Sequence, residues 1–358
     1  MEKQELFAGL KVVELAGVLA GPAVGMFFAE LGATVLKVEN PSNNGDVTRS
    51  WLLETEGKTS QSGYYSSVNY RKKVLWADLI VKEELENVLA HIAQADVVIA
   101  NFKSSSAKKI GLDADTLRKK YPKLIYAQIS GYGLNDDTPA FDVVLQAEAG
   151  FMYMNGEKEG AAVKMPIAII DILAAHQLKE AILIALYQRS ISGEGAMVHV
   201  SLYNAALASL ANQATNYLMG GITPQRMGSL HPNIAPYGET FYSFDGKGIV
   251  LAVGNDKQFA SLCNCLNLDA LSTNILYSTN TERVKNRYSL SVILANAFAT
   301  FDSDILMRLL EENKVPFGDI RTMPEVLNTE TAQKLILTEV LPDGQITKRM
   351  ATAVFDIN

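Results

Sequence analysis

The sequence predicts an α/β protein: a mostly parallel sheet covered by helices, followed by a smaller α+β domain. Three observations lead there. Short aliphatic runs alternate with helical patterns as far as Ser201, the βαβ rhythm of a parallel sheet. The stretch from Gly220 to Pro236 then carries three glycines and three prolines, which marks a linker. Beyond it, Phe241 to Val253 reads as a hairpin turning at Asp245-Gly246, a pair that favours tight turns.

The elements follow in order. Leu10 to Leu15 forms a strand, and Gly21-Pro22 opens a helix running to about Leu31. Pro22 suits a first helical turn, where its missing N–H costs nothing. Gly32 ends that helix and Thr34 to Val38 makes the next strand. Further strands are expected at Val74 to Leu79, Val97 to Ala100, Leu124 to Ile129 and Met197 to Ser201. Helices are expected at Glu83 to Ala93, Ala114 to Tyr121, Asp171 to about Arg189 and Asn204 to Tyr217, with more filling Lys257 to Glu311. The division predicted is a large domain over 1–221, a small one over 222–322, and a return to the large domain over 323–358.

The chain has 358 residues, 48% hydrophobic and 20% charged, with a net charge of -7 at pH 7. That is ordinary globular composition with room for two cores. The negative balance argues against nonspecific nucleic-acid binding, which needs a basic footprint. Cys263 and Cys265 are one residue apart and read as free thiols in a reducing compartment. The four histidines stand apart from each other and from the cysteines, so no metal centre is expected. The charged start MEKQELFAGLK has no apolar core of a signal peptide. No apolar run approaches the roughly 20 residues of a membrane span. A cytoplasmic protein is the expectation.

Gly17-Val18-Leu19-Ala20-Gly21-Pro22 lies between the first strand and first helix, where α/β sheets present amides to phosphates. The spacing does not fit G-x-G-x-x-G, and close packing of small residues is the plainer reading. Asp171 sits in PIAIIDILAA, among aliphatic neighbours. Its position fits a helix N-cap, and it equally fits a nucleophile. Both readings stay open on spacing, and first-turn amides would lower the pKa of such a carboxylate. No G-x-S-x-G supports a serine nucleophile. Basic groups occur at Arg71-Lys72-Lys73 and at Lys103, Lys108 and Lys109. His176, in an apolar helix, reads as a core residue, and His231 in HPNIAPY reads as a loop residue that could face a cleft.

The blocks ELAGVLAGPAVGMFFAELGATVLKVENP and GDVTR resemble the opening of the family III CoA transferases, the CaiB/BaiF group. The resemblance continues in order through NYRKKVLWADL, ADVVIANFKSSSAKKIGL, YPKLIYAQISGYG, FDVVLQAEAGFM, HPNIAPY, LAVGNDKQF and VPFGDIRTMPEVL. It implies a Rossmann-like large domain built from both termini, a small domain, and two chains interlocked as a homodimer. It also implies a transferase that moves CoA from an acyl-CoA to a small carboxylic acid, with CoA as substrate and no separate cofactor, metal, nucleic acid or membrane.

The family's nucleophilic aspartate matches Asp171, which implies mixed-anhydride and aspartyl-CoA thioester intermediates. For CoA, the resemblance implies Val18, Leu19 and Ala20 in the loop. Asn40 stands where some relatives carry arginine, and Asn69, Arg71 and Lys72 match a basic turn. Asn101, Phe102, Lys103, Ser106 and Lys109 match an NF-x-P-G segment in which Ser104-Ser105 replaces Pro-Gly. Phe141 and Asp142 are expected near the thioester, and the Gly254-Asn255-Asp256 turn is expected to close over the site.

Two other activities fit the same superfamily. A racemase branch uses a G-H-D block, but this chain has Ala140-Phe141-Asp142, and phenylalanine cannot exchange a proton. A non-catalytic CoA-binding homologue is the other, suggested by an end at VFDIN, where most relatives continue with a G-x-H-T-like block and a final helix. The segment between Gly133 and Phe141 is also shorter than the family pattern.

Overall fold

The computed structural model describes residues 5–56 and 61–357; residues 1–4, including the start of the charged N-terminus, lie outside that description. Six strands form one parallel sheet: β1 (Lys11–Leu15), β2 (Thr34–Glu39), β3 (Lys73–Trp76), β4 (Val97–Ala100), β5 (Ile125–Ser130) and β6 (Met197–Ser201). Their spatial order is β3-β2-β1-β4-β5-β6. Every neighbour pair is parallel, with Val12 opposite both Val35 and Val97. The α/β reading therefore holds. The third strand is shorter than expected, ending at Trp76 rather than Leu79.

Successive residues of β1 feed opposite faces of the sheet, as strand alternation requires. Val12 joins Val24, Phe28, Ile99, Ile170 and Leu178 on one side. Val13 and Leu15 join Val88, Ile92, Leu112 and Leu117 on the other. The first layer is covered by the helices Ala20–Glu30 and Ile169–Ser192. Two glycines let the former lie close to β1. A Cβ on Gly21 would fall 2.4 Å from Ala16 Cβ, and one on Gly25 would fall 1.9 Å from Glu14 Oε2. Close packing is thus what these small residues supply.

Two helix expectations are corrected. The helix expected from Asn204 to Tyr217 is two helices, Leu202–Ala208 and Ala211–Gly220. Between them the Ser209 hydroxyl donates to the Ala205 carbonyl at 2.8 Å, and Ala211 turns left-handed at φ 47°. A hydroxyl competing for a helix carbonyl breaks the regular ladder there. The long helix begins at Ile169, two residues ahead of Asp171, and its N-cap residue is Ala168. Asp171 is therefore not the cap.

The chain divides into two compact units. One holds 1–151, 164–223 and 330–358; the other holds 152–163 and 224–329. The sequence reading placed its boundaries at 222 and 322 and assigned 152–163 to the large domain. In the second unit, β7 (Tyr237–Tyr242), β8 (Gly248–Ala252) and β9 (Phe317–Asp319) form an antiparallel sheet. The turn after β7 contains Gly246 at φ 83°, a conformation glycine adopts freely. Cys263 and Cys265 are free and buried in that unit, and burial pushes their thiols up to about 12 and about 11. In the first unit, β10 (Ile336–Val340) and β11 (Ile346–Met350) form a hairpin. Among the described residues no single helix is long and apolar enough to cross a membrane, and no cluster could hold a metal ion.

Candidate functional site

Two clefts run along the C-terminal ends of the sheet strands and meet at Gly17, Asn101 and Phe102. The larger, about 520 Å³, contains the Val18–Ala20 loop and Asp171. The smaller, about 250 Å³, is lined by Asn40, Asp78 and Ile80 among others. The strand order reverses between β1 and β4, which is where open α/β sheets leave a crevice for a ligand.

The loop after β1 is held in a conformation its sequence disfavours. Val18 has φ 71°, and a β-branched residue there is strained by about 1–3 kcal/mol. Its N–H donates to Asp46 Oδ2 at 3.1 Å. Asn101 grips Gly17 from the other side, accepting its N–H at 3.3 Å and donating to its carbonyl at 3.0 Å. The next helix starts at Ala20 without a side-chain cap, so its first-turn amides suit an anion.

Asp46 is fixed by a buried ionic network. Lys37 Nζ lies 3.1 Å from Asp46 Oδ2 and 3.0 Å from Glu14 Oε1, and donates to Ala16 O at 2.6 Å. Burial works against the charge on Lys37, yet Glu14 and Asp46 outweigh it and raise its pKa. Burial likewise opposes the Asp46 charge, but Lys37 and the Thr48 amide and hydroxyl lower its pKa overall. Lys72 Nζ sits 2.7 Å from Glu14 Oε2; burial pushes it down to about 7, with Glu14 resisting.

These contacts redirect one group of expected ligand residues. Asn69, Arg71 and Lys72 do not line either cleft. Lys72 is spent internally on Glu14, the Pro22 carbonyl and Asn69 Oδ1. Asn69 also donates to the Tyr65 carbonyl at 2.8 Å. Arg71 is exposed, and its N–H donates to Glu339 on β10. A basic string in sequence does not reveal which of its members points inward. Ser106 and Lys109 also fall outside both clefts, on exposed positions of the helix Ser104–Lys109.

The remaining expected residues do come together. Val18, Leu19, Ala20, Asn101, Phe102, Lys103, Phe141, Asp142 and Asp171 line the larger cleft, and Asn40 lines the smaller. Asn40 Oδ1 accepts the Ser42 amide and so caps the turn Pro41–Asn43. The turn at Asn255 belongs to the second unit. There Asn255 Oδ1 caps the helix Asp256–Cys265, and Asp256 Oδ1 lies 2.7 Å from the Arg283 guanidinium. His231, in the same unit, accepts the Asn233 amide on Nδ1.

Asp171 is 8% exposed, and its carboxylate makes no hydrogen bond among the described residues. Burial, then the nearby charge of Asp142, raises its pKa to about 7. This reverses the expectation of a lowered value. A first-turn amide of its helix is already taken, because Ile170 N–H donates to Asp142 Oδ1 at 2.7 Å. A carboxylate left without donors in an apolar setting is destabilised as an anion, and hence basic and nucleophilic.

Several cleft residues had no signal in the sequence. Trp51 and Tyr64 form one wall, edge to face with ring centroids 4.9 Å apart. Burial, then Asp171 and Asp142, raises the Tyr64 pKa. Ser130 Oγ lies 2.8 Å from His199 Nε2 at the end of β5. Gln146, buried on the helix Asp142–Glu148 and not itself lining the cleft, accepts the Met165 amide and donates to the cleft residue Asp142. Only the fold brings these distant positions to one place.

Residues 7–358 match CoA-transferase family III. A succinate–glutarate CoA-transferase of Agrobacterium fabrum is 39% identical over 326 residues, covering 89% of this chain and 81% of the relative. The human succinyl-CoA:glutarate CoA-transferase is 34% identical over 321 residues, covering 89% of this chain and 72% of the relative. A crystal structure of a CaiB/BaiF family protein from Brucella suis superposes with a TM-score of 0.84 at 36% identity, covering 99% of this chain and 93% of that one. The chain belongs to CoA-transferase family III and is an enzyme of CoA transfer.

Proposed function

We propose that this enzyme exchanges CoA between two carboxylic acids through covalent intermediates on Asp171. The observation that carries this reading is a buried, donor-free carboxylate with a pKa of about 7, facing the cleft beside the amide-presenting loop. CoA is substrate and product here, and the scheme calls for no separate cofactor. Support for dicarboxylic acids as the two partners comes from the relatives named for succinate and glutarate.

The Asp171 carboxylate attacks the thioester carbonyl of the donor, and the C–S bond breaks to give CoA thiolate and a mixed anhydride. The thiolate then attacks the Asp171 carbonyl of that anhydride, releasing the donor acid and leaving an aspartyl-CoA thioester. The acceptor carboxylate attacks this thioester, expelling thiolate again and forming a second anhydride. Attack of thiolate on the acceptor's carbonyl yields the new acyl-CoA and frees Asp171. The uncapped first-turn amides at Ala20 suit the oxyanions formed on the way.

The pairing of two chains is part of the same reading. Ile184, Tyr187 and Ile191 share a face of the long helix at 60%, 68% and 70% exposure, an apolar stripe suited to a partner. Sedimentation equilibrium should give twice the chain mass, and a monomer at micromolar concentration would rule the homodimer out.

Intact-protein mass spectrometry tests the chemistry. Incubation with succinyl-CoA should add the mass of CoA less one water, removable by hydroxylamine. Asp171→Ala should show no adduct and lose at least about 10³-fold in kcat, while binding CoA within a few-fold of wild type. Normal turnover by that variant would sink the assignment.

A further inference from the structure

We propose that Lys164 is the residue that selects dicarboxylic substrates, its ammonium receiving the distal carboxylate while the reacting carbonyl lies at Asp171. This rests on the reading of Asp171 as nucleophile. Lys164, Pro166, Ala168 and Asp171 line the larger cleft from a single stretch of chain. Lys164 therefore enters from the wall that also presents the reacting group.

The stretch is fixed at both ends through one helix. The Met165 amide donates to Gln146 Oε1 at 2.8 Å, and the Ile170 amide donates to Asp142 Oδ1 at 2.7 Å. Gln146 Nε2 in turn donates to Asp142. The backbone that carries Lys164 is thus tied to the backbone that carries Asp171. A flexible ammonium stem on a fixed base suits recognition of a charged end on acids of slightly different length.

Charge in the cleft gives the same answer. Among the described residues Lys164 has no carboxylate partner; its ammonium donates only to the Met165 carbonyl, at 3.3 Å. The other acidic groups lining the cleft are engaged elsewhere. Asp136 accepts the Thr138 amide, Asp137 accepts the Ser105 hydroxyl, and Asp142 holds Ile170. A free carboxylate entering here meets Asp136, Asp137 and Asp142, and like charges repel it. It needs a cation near the reacting end. Lys103, the other cleft lysine, follows Asn101 and Phe102, where the two clefts meet. It lines the larger cleft from the loop after β4, whereas Lys164 shares its stretch of chain with Asp171.

The test compares succinyl-CoA with butyryl-CoA, which lacks the distal charge, in wild type, Lys164→Met and Lys164→Arg. In Lys164→Met the ratio of kcat/KM for succinyl-CoA over butyryl-CoA should fall roughly 10- to 100-fold, the loss of one charge-assisted hydrogen bond. Lys164→Arg should restore most of it. An unchanged ratio in Lys164→Met, with the wild-type CoA adduct still forming, overturns the role of Lys164 and leaves the nucleophile standing. Wild type that forms no adduct with either thioester overturns the nucleophile, and this proposal with it.

Discussion

Asp142 accepts the amide of Ile170 at 2.7 Å, and by doing so caps the helix whose third residue is Asp171. One carboxylate therefore positions another and raises its pKa by its own charge. Asp142→Ala should cost roughly 0.5–2 kcal/mol, the loss of a helix cap. It should also lower the apparent pKa of the rate profile. Asp142→Asn keeps an acceptor for Ile170 and removes the charge, so it should lower that pKa with a smaller loss in chemical denaturation. Equal profiles for both variants and wild type would show that the charge does not reach Asp171.

The pH dependence of the first half-reaction should report Asp171 itself. With a folded pKa of about 7 against an ordinary value of 3.8, adduct formation should fall about tenfold for each unit below pH 7. Stability moves the other way. The folded state holds the proton over that window and the unfolded state does not, so stability drops as pH rises from about 4 to 7. Asp171→Asn should consequently be more stable than wild type at pH 8, by roughly 2–4 kcal/mol at most. At pH 4 the two should melt together, as thermal unfolding at both pH values would reveal.

The Lys37 network should be intolerant of half-removal. Lys37→Met leaves Glu14 and Asp46 without the cation they share, and breaking a buried pair costs about 3–5 kcal/mol. Because Asp46 also holds Val18, the KM for acyl-CoA should rise in whatever protein remains folded. Urea denaturation and steady-state kinetics on the same preparation would check both effects.

Gly25 predicts a steric outcome. A methyl there would meet Glu14 Oε2 at 1.9 Å, and Glu14 is buried and paired with both Lys37 and Lys72. Gly25→Ala should destabilise by about 1–3 kcal/mol, despite alanine's better helix propensity. Gly9→Ala, at φ 88° with open space, suffers only backbone strain and serves as the comparison.

The first-unit elements were legible because periodicity and punctuation are local. Thr34 to Val38 and Val97 to Ala100 announce themselves as aliphatic runs, and Gly32 marks a helix end. The sequence also singled out Asp171, as a lone carboxylate among aliphatic neighbours. What it could not supply was the company that residue keeps. Asp142 lies far from it in the chain, so the hydrogen bond from Ile170 to Asp142 and the raised pKa of Asp171 arise only on folding. Lys72 and Arg71 are adjacent in sequence, yet one is buried on Glu14 and the other faces solvent. Local pattern determined the elements and the candidate nucleophile, because those depend on neighbouring residues. Tertiary structure alone decided which charges meet, which amides are occupied and what protonation Asp171 carries, because electrostatics follows distance in space and exclusion of water.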